Sequence, residues 1–172
     1  MNKTLLNIIR FVALVLLQVL IINHIRLGGY VHPCVYIVFV MLLPITIPDW
    51  QLLLAGFFLG LCIDMFTGTL GLHAGATTLM AFCRPGIIRL VSGSQKLENV
   101  QEPNLNQLGI VWFLRYAICM VLVHHFALYL MESFSFHLIG QVLLRILLSV
   151  PVSVFLILMI LYIFSSHKTR GE

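Results

Sequence analysis

The chain has 172 residues, of which 60% are hydrophobic and 9% charged, with a mean hydropathy of +1.05. A soluble domain carries about a quarter charged residues, so no soluble core of this length hides that much apolar surface, whereas lipid accepts it while helices satisfy their own backbone. The formal net charge of +4 falls on residues at the ends of apolar runs instead of in one patch, which points to membrane topology and away from nucleic acid.

A helix that rises about 1.5 Å per residue needs roughly 20 residues to cross a hydrocarbon core about 30 Å thick. Lys3 and Arg10 precede the apolar run from Phe11 to Ile22, and the following Asn23-His24-Ile25-Arg26 offers no small-residue cleavage site. The reading is a retained first span over 4–22. A second span over 32–47 is short and carries Pro44, so it should be kinked, tilted or partly re-entrant. A third covers 50–67. A fourth covers 71–90 and holds Arg84-Pro85-Gly86 near its end. The polar stretch 92–107, without periodicity, is a connector too short to be a domain. A fifth span covers 108–131, and a sixth covers 138–164 with Pro151 inside it. The expectation is an all-α, single-domain, six-transmembrane-helix bundle without internal repeats.

With the N-terminus inside, Lys3, Arg10, Arg84, Arg89, Lys96, Lys168 and Arg170 fall on the cytoplasmic side, against Arg26 outside. Both termini are then cytoplasmic. Arg84, Arg89 and Arg115 read as topological anchors near water. Cys34, Cys62, Cys83 and Cys119 lie in apolar stretches at irregular spacing, which suits small buried residues and neither a disulfide framework nor a zinc site.

Ionisable groups at membrane depth are costly and mark places to look for function. Helical rise puts Asp64 about 21 Å from the cytoplasmic edge and Arg145 about 10 Å below the outer surface, so the two charges share a level. His124 and His125 fall in the outer part of the fifth span and His73 at the outer start of the fourth. The expected arrangement is an outer-leaflet polar cluster of Asp64, Arg145, His73, His124 and His125, with Asp64 and Arg145 paired. Such a pair fixes helix register or meets a ligand or partner; both readings stay open. Gly56, Gly60 and Asp64 share one helix face at i, i+4, i+8, where small residues let another helix come close, inside the bundle or between molecules. Gly68 and Gly71 mark a turn into the fourth span.

Signals of catalysis are missing where they would be expected. His124 and His125 are adjacent, so they cannot form an HExxH-type zinc face; Val91-Ser92-Gly93-Ser94-Gln95 is no nucleophile elbow; no Walker A or dinucleotide fingerprint occurs. The expectation is a protein that is not an enzyme and uses no cofactor or metal.

The stretch Gly56-Phe57-Phe58-Leu59-Gly60-Leu61-Cys62-Ile63-Asp64-Met65-Phe66-Thr67-Gly68-Thr69-Leu70-Gly71-Leu72-His73-Ala74 resembles the MreD family of rod shape-determining integral membrane proteins, with its G-x-x-x-D span, short turn and G-x-H-A. Length, the basic start, the proline-bearing second span, the loop after Arg84-Pro85 and the basic tail follow the same layout. The resemblance implies a non-enzymatic scaffold subunit of the cell-elongation machinery in the bacterial inner membrane. Such a subunit binds MreC and couples MreB filaments, indirectly, to peptidoglycan synthesis by RodA and its penicillin-binding transpeptidase. Gly60, Asp64, Gly68, Gly71 and His73 carry over; Thr69 stands where the family often has proline. The family in turn looks like the S-components of energy-coupling-factor transporters, six-helix bundles with an outward-facing pocket. That likeness gives the alternative of a subunit that binds a small molecule or lipid. A homo-oligomer is compatible with either.

Overall fold

A computed structural model describes residues 3–25, 31–69, 71–95, 97, 100–133 and 139–168, with the side chains of residues 3, 4 and 164–168 left undescribed. The expected anchors Arg26, Lys96 and Arg170 and the span boundary Leu138 lie outside the described residues. Every described element is helical: α1 (Lys3–Leu20) with a 3-10 turn after it (Ile22–His24), α2 (Val38–Met41), α3 (Asp49–Thr67), α4 (Leu72–Ser92), α5 (Leu105–Leu108), α6 (Ile110–Ser133) and α7 (Ile139–Lys168). Four helical stretches are long and apolar enough to cross a membrane: Leu5–His24, Asp49–Thr67, Ile110–Ser133 and Ile139–Ile163. The protein is therefore an α-helical membrane protein.

The long helices pack in series, α3 on α4, α4 on α6 and α6 on α7, while α1 lies against α3 and α2. The central α6 buries Trp112, Phe113, Tyr116, Ala117, Met120, Val121, His124 and His125, a stripe at helical spacing that meets α4 on one side and α7 on the other. On α7 the inward face is Val142, Ile146, Ser149, Val150, Ser153, Val154 and Ile157. Outward-facing Leu5, Ile8, Val12 and Leu16 on α1, and Leu143, Leu147 and Phe155 on α7, are exposed, as a lipid-facing surface requires. Both α4 and α7 run on through their prolines, Pro85 and Pro151.

The expected second span is not a continuous helix. Among residues 31–47 only the single turn α2 is α-helical, and yet Pro33 to Met41 are all buried. Irregular backbone at membrane depth is tolerated only where protein satisfies its polar groups, and here side chains do so. Gln18, in the last turn of apolar α1 and 2% exposed, donates from Nε2 to the Pro33 carbonyl at 2.9 Å and accepts at Oε1 from the amides of Val35 (2.8 Å) and Tyr36 (3.4 Å). Ser149 Oγ accepts from the His32 amide at 3.2 Å and Ser153 Oγ from the Cys34 amide at 3.1 Å. The His125 ring sits between the carbonyls of Val121 and His32, at 3.0 and 3.2 Å.

Arg84 closes the other end of this segment. It is 1% exposed, which corrects its reading as an anchor near water. Its guanidinium donates to the carbonyls of Met41 (3.4 Å), Leu43 and Pro44 (3.3 Å) and, from Nε, to Tyr116 Oη at 3.0 Å; Tyr116 in turn donates to the Met41 carbonyl at 3.1 Å. The last carbonyls of α2, which have no partner within the helix and carry the negative end of its dipole, thus face a cation. The described residues 100–107 of the connector after α4 are tied into the fold by specific bonds. Asn104 caps α5 by accepting from the Gln107 amide at 2.8 Å, the Ile45 amide donates to the Gln101 carbonyl at 2.9 Å, and Arg10 pairs with Glu102 at 3.1 Å.

Replacing Gln18 by leucine leaves the Pro33 carbonyl and the Val35 and Tyr36 amides without these partners. The expected cost is about 3 kcal/mol or more, read as a lowered thermal midpoint in detergent, while Leu16→Ala on the exposed face of the same helix changes little.

Candidate functional site

The glycine-rich stretch around Asp64 and His73 forms a clasp between α3 and α4. Asp64 is buried near the end of α3, and its carboxylate reaches across to the first turn of α4, accepting from the His73 amide (3.0 Å) at Oδ1 and the Ala74 amide (2.9 Å) at Oδ2. Gly71 precedes the helix, so these are its second and third amides, the two donors an N-cap side chain ordinarily takes. Here the cap comes from another helix. The negative charge also faces the positive end of the α4 dipole. His73 adds its ring, Nδ1 lying 2.9 Å from Oδ1, and Thr69 donates its hydroxyl to the same oxygen at 2.5 Å.

Each glycine of the motif has a separate role in that clasp. A Cβ on Gly60 would stand 2.5 Å from Ala74 Cα, against the backbone of His73 and Ala74, so glycine is what lets α4 start close enough for Asp64, one turn further along, to reach it. Gly56 comes within 3.0 Å of Thr77 O and Ala81 Cβ by the same measure. Gly68 ends α3 and Gly71 starts α4, both in the left-handed region at φ of 69° and 79°, where L side chains are strained. Thr69 supplies a hydroxyl to Asp64 that a proline at this position could not supply.

Asp64 and Arg145 are not paired. Arg145 donates from Nη1 to both carboxylate oxygens of Glu132 at 3.1 Å and lies 5.6 Å from the centre of the Tyr129 ring. Glu132, not Asp64, is its counter-charge, because both sit where α6 and α7 approach their shared loop. The predicted residues are nevertheless joined in series. The His73 ring is 6.2 Å from Tyr36, Tyr36 Oη is 2.7 Å from His124 Nε2, the His124 and His125 rings are 5.5 Å apart, and His125 is 5.8 Å from Tyr129, which meets Arg145. Tyr36 and Tyr129 are the two links that the sequence reading did not contain. His124 and His125 are both fully buried, and His124 Nδ1 is the one buried side-chain polar atom among the described residues without a partner.

Above this ladder opens a cavity of about 720 Å³, lined among others by Gln18, His32, Thr69, His73, Tyr129 and Glu132. Its wall mixes the end of the clasp, the irregular segment and α6. Among the described residues no three histidine, cysteine or acidic side chains are placed to hold a metal ion. Compared with protein-family models, curated proteins and solved structures, the chain matches none.

Gln18, Ser149, Ser153 and Tyr116 also escaped the sequence reading. Gln18 as an amide in an otherwise apolar run from Phe11 to Ile22 and Ser149 and Ser153 at i, i+4 were available signals. What they bind is backbone, which has no sequence signature. Asp64→Ala should cost about 3 kcal/mol by uncapping α4. Gly60→Ala should cost a comparable amount through the enforced separation of α3 and α4, and Gly86→Ala, which meets no atom within 4 Å, should be neutral. Thermal midpoints of the three purified variants check this.

Proposed function

We propose that the chain is a six-pass, non-enzymatic scaffold of the bacterial inner membrane with both termini in the cytoplasm. In this reading it binds MreC and helps link MreB filaments to peptidoglycan synthesis by RodA and its penicillin-binding transpeptidase. The observation that carries the reading is the clasp: the residues of the MreD-like motif act together as one intramolecular device, which supports reading the motif as a packing feature. Three further features agree. The irregular segment 31–45 runs from the cavity beside His73 to the level of Arg84, and this reading counts it as the second crossing. Arg10, Arg84 and Arg89 gather at one end of the bundle, the end this reading places in the cytoplasm. The surfaces open to partner helices are the apolar outer faces of the long helices, such as Leu5 and Ile8 on α1, Phe58 on α3, Phe126 on α6 and Leu147 on α7.

Depleting the protein from rod-shaped cells that depend on it should make them round, and MreC should co-purify with a tagged copy. Normal shape together with no recovered MreC contradicts the proposal. The cavity beside His73 favours a second reading, a subunit that captures a small molecule or lipid, since its volume falls in the range of ligand sites, about 300–1,000 Å³. Uptake of a labelled vitamin dependent on an energising ATPase would decide for that alternative.

A further inference from the structure

A second cavity, of about 400 Å³, lies at the opposite end of the bundle. One part of its wall is apolar, with Ile45, Ile47, Leu52 and Ile88; the other carries Arg84, Arg89, Ser92 and Gln95, with Asp49 on the same wall. Two guanidiniums thus face one carboxylate. Arg84 is the more telling of the two. It is buried, its four hydrogen bonds go to three carbonyls and a tyrosine hydroxyl, and among the described residues it pairs with no carboxylate. A guanidinium has five N–H donors, so one remains. Neutral oxygens satisfy hydrogen bonds but leave a net charge in a low-dielectric surrounding, and that charge attracts an anion more strongly there than in water. Arg89, exposed on the next turn of α4, adds a second cation that an anion reaches from outside.

We propose that this cavity binds a phosphate-bearing anion, held by Arg89 and Arg84 with the Ser92 hydroxyl as a further donor. The Ser92 oxygen already accepts from Trp112 Nε1 at 3.1 Å, which leaves its own O–H free to donate. Apolar side chains beside the guanidiniums suit a phospholipid, whose headgroup and first methylenes need both kinds of wall. Free phosphate needs only the polar part. Trp50, exposed at the start of α3 next to Asp49 of the cavity wall, is placed where an indole ring marks the boundary between lipid and water, while Trp112 is buried in α6 against Ser92.

Trp112 is also a built-in reporter. The chain has two tryptophans, so Trp50→Phe leaves Trp112 alone beside the cavity. The test reconstitutes this full-length variant into phosphatidylcholine vesicles and adds brominated phosphatidylglycerol or brominated phosphatidylcholine, which quench indole on contact. Phosphatidylglycerol should quench Trp112 at about fivefold lower mole fraction than phosphatidylcholine. Arg89→Gln should erase most of that preference and Arg89→Lys should keep much of it. Arg115→Gln, which removes an exposed charge outside the cavity wall, should leave it unchanged and so separates the site from a general loss of positive charge. Inorganic phosphate provides the other arm. If millimolar phosphate alone shifts Trp112 emission in an Arg89-dependent way and phosphatidylglycerol gains nothing, the anion is the free ion. Equal quenching by both lipids with no response to phosphate, or a preference that Arg89→Gln leaves intact, overturns the proposal.

Discussion

The structure depends on paying out hydrogen bonds to a stretch of backbone that is not a helix. Between Pro33 and Met41 the chain is buried among membrane-crossing helices, and of that stretch only the turn Val38–Met41 is α-helical. In hydrocarbon each unpaired amide or carbonyl costs several kcal/mol. The position of Gln18 on α1, of Ser149 and Ser153 on α7, of His125 on α6 and of Arg84 on α4 follows from that requirement. Four long helices are thereby fixed around one segment by specific bonds, where apolar packing alone would leave their rotation about their axes weakly determined.

The clasp between α3 and α4 solves a related problem in another way. The start of a helix exposes amides that need acceptors, and α4 begins with Gly71-Leu72-His73, none of which provides a capping oxygen. Asp64 provides it from the preceding helix, and Gly60 permits the approach. A buried carboxylate is tolerated because two amides, a hydroxyl and a histidine ring surround it, so Arg145 is not required as a counter-charge and pairs with Glu132 instead.

Hydrophobicity and length made the long helices legible: the readings 4–22, 50–67, 71–90, 108–131 and 138–164 fall within a few residues of α1, α3, α4, α6 and α7. The stretch 32–47 reads as a span because composition reports burial and not backbone conformation; Pro44 was the one hint of irregularity. Asp64, His73, Gly60, Gly68 and Gly71 were legible as a group because the clasp is local in sequence. The bonds from Gln18, Ser149, Ser153 and Arg84 reach far along the chain, and depth counting along separate helices cannot say which faces meet. The same limit produced the expectation of an Asp64–Arg145 pair: two charges at one level need not share a side of the bundle. Arg84 illustrates the point in reverse, since a basic residue near a span end resembles an interfacial anchor until its partners are known.

Among the described residues, several buried polar side chains, Gln18, Arg84, Ser149 and Ser153 among them, hold backbone. The central claim is that residues 32–35 are non-helical, with their backbone bonded to side chains at membrane depth. Solid-state NMR of the labelled protein in bilayers measures this directly, through the Cα and Cβ shifts of residues 32–35 and the exchange of the amides of residues 32–36 with deuterated water. The account predicts non-helical shifts together with exchange at Cys34, Val35 and Tyr36 as slow as in α6. Helical shifts throughout 32–47, or rapid exchange at those three amides, would contradict it.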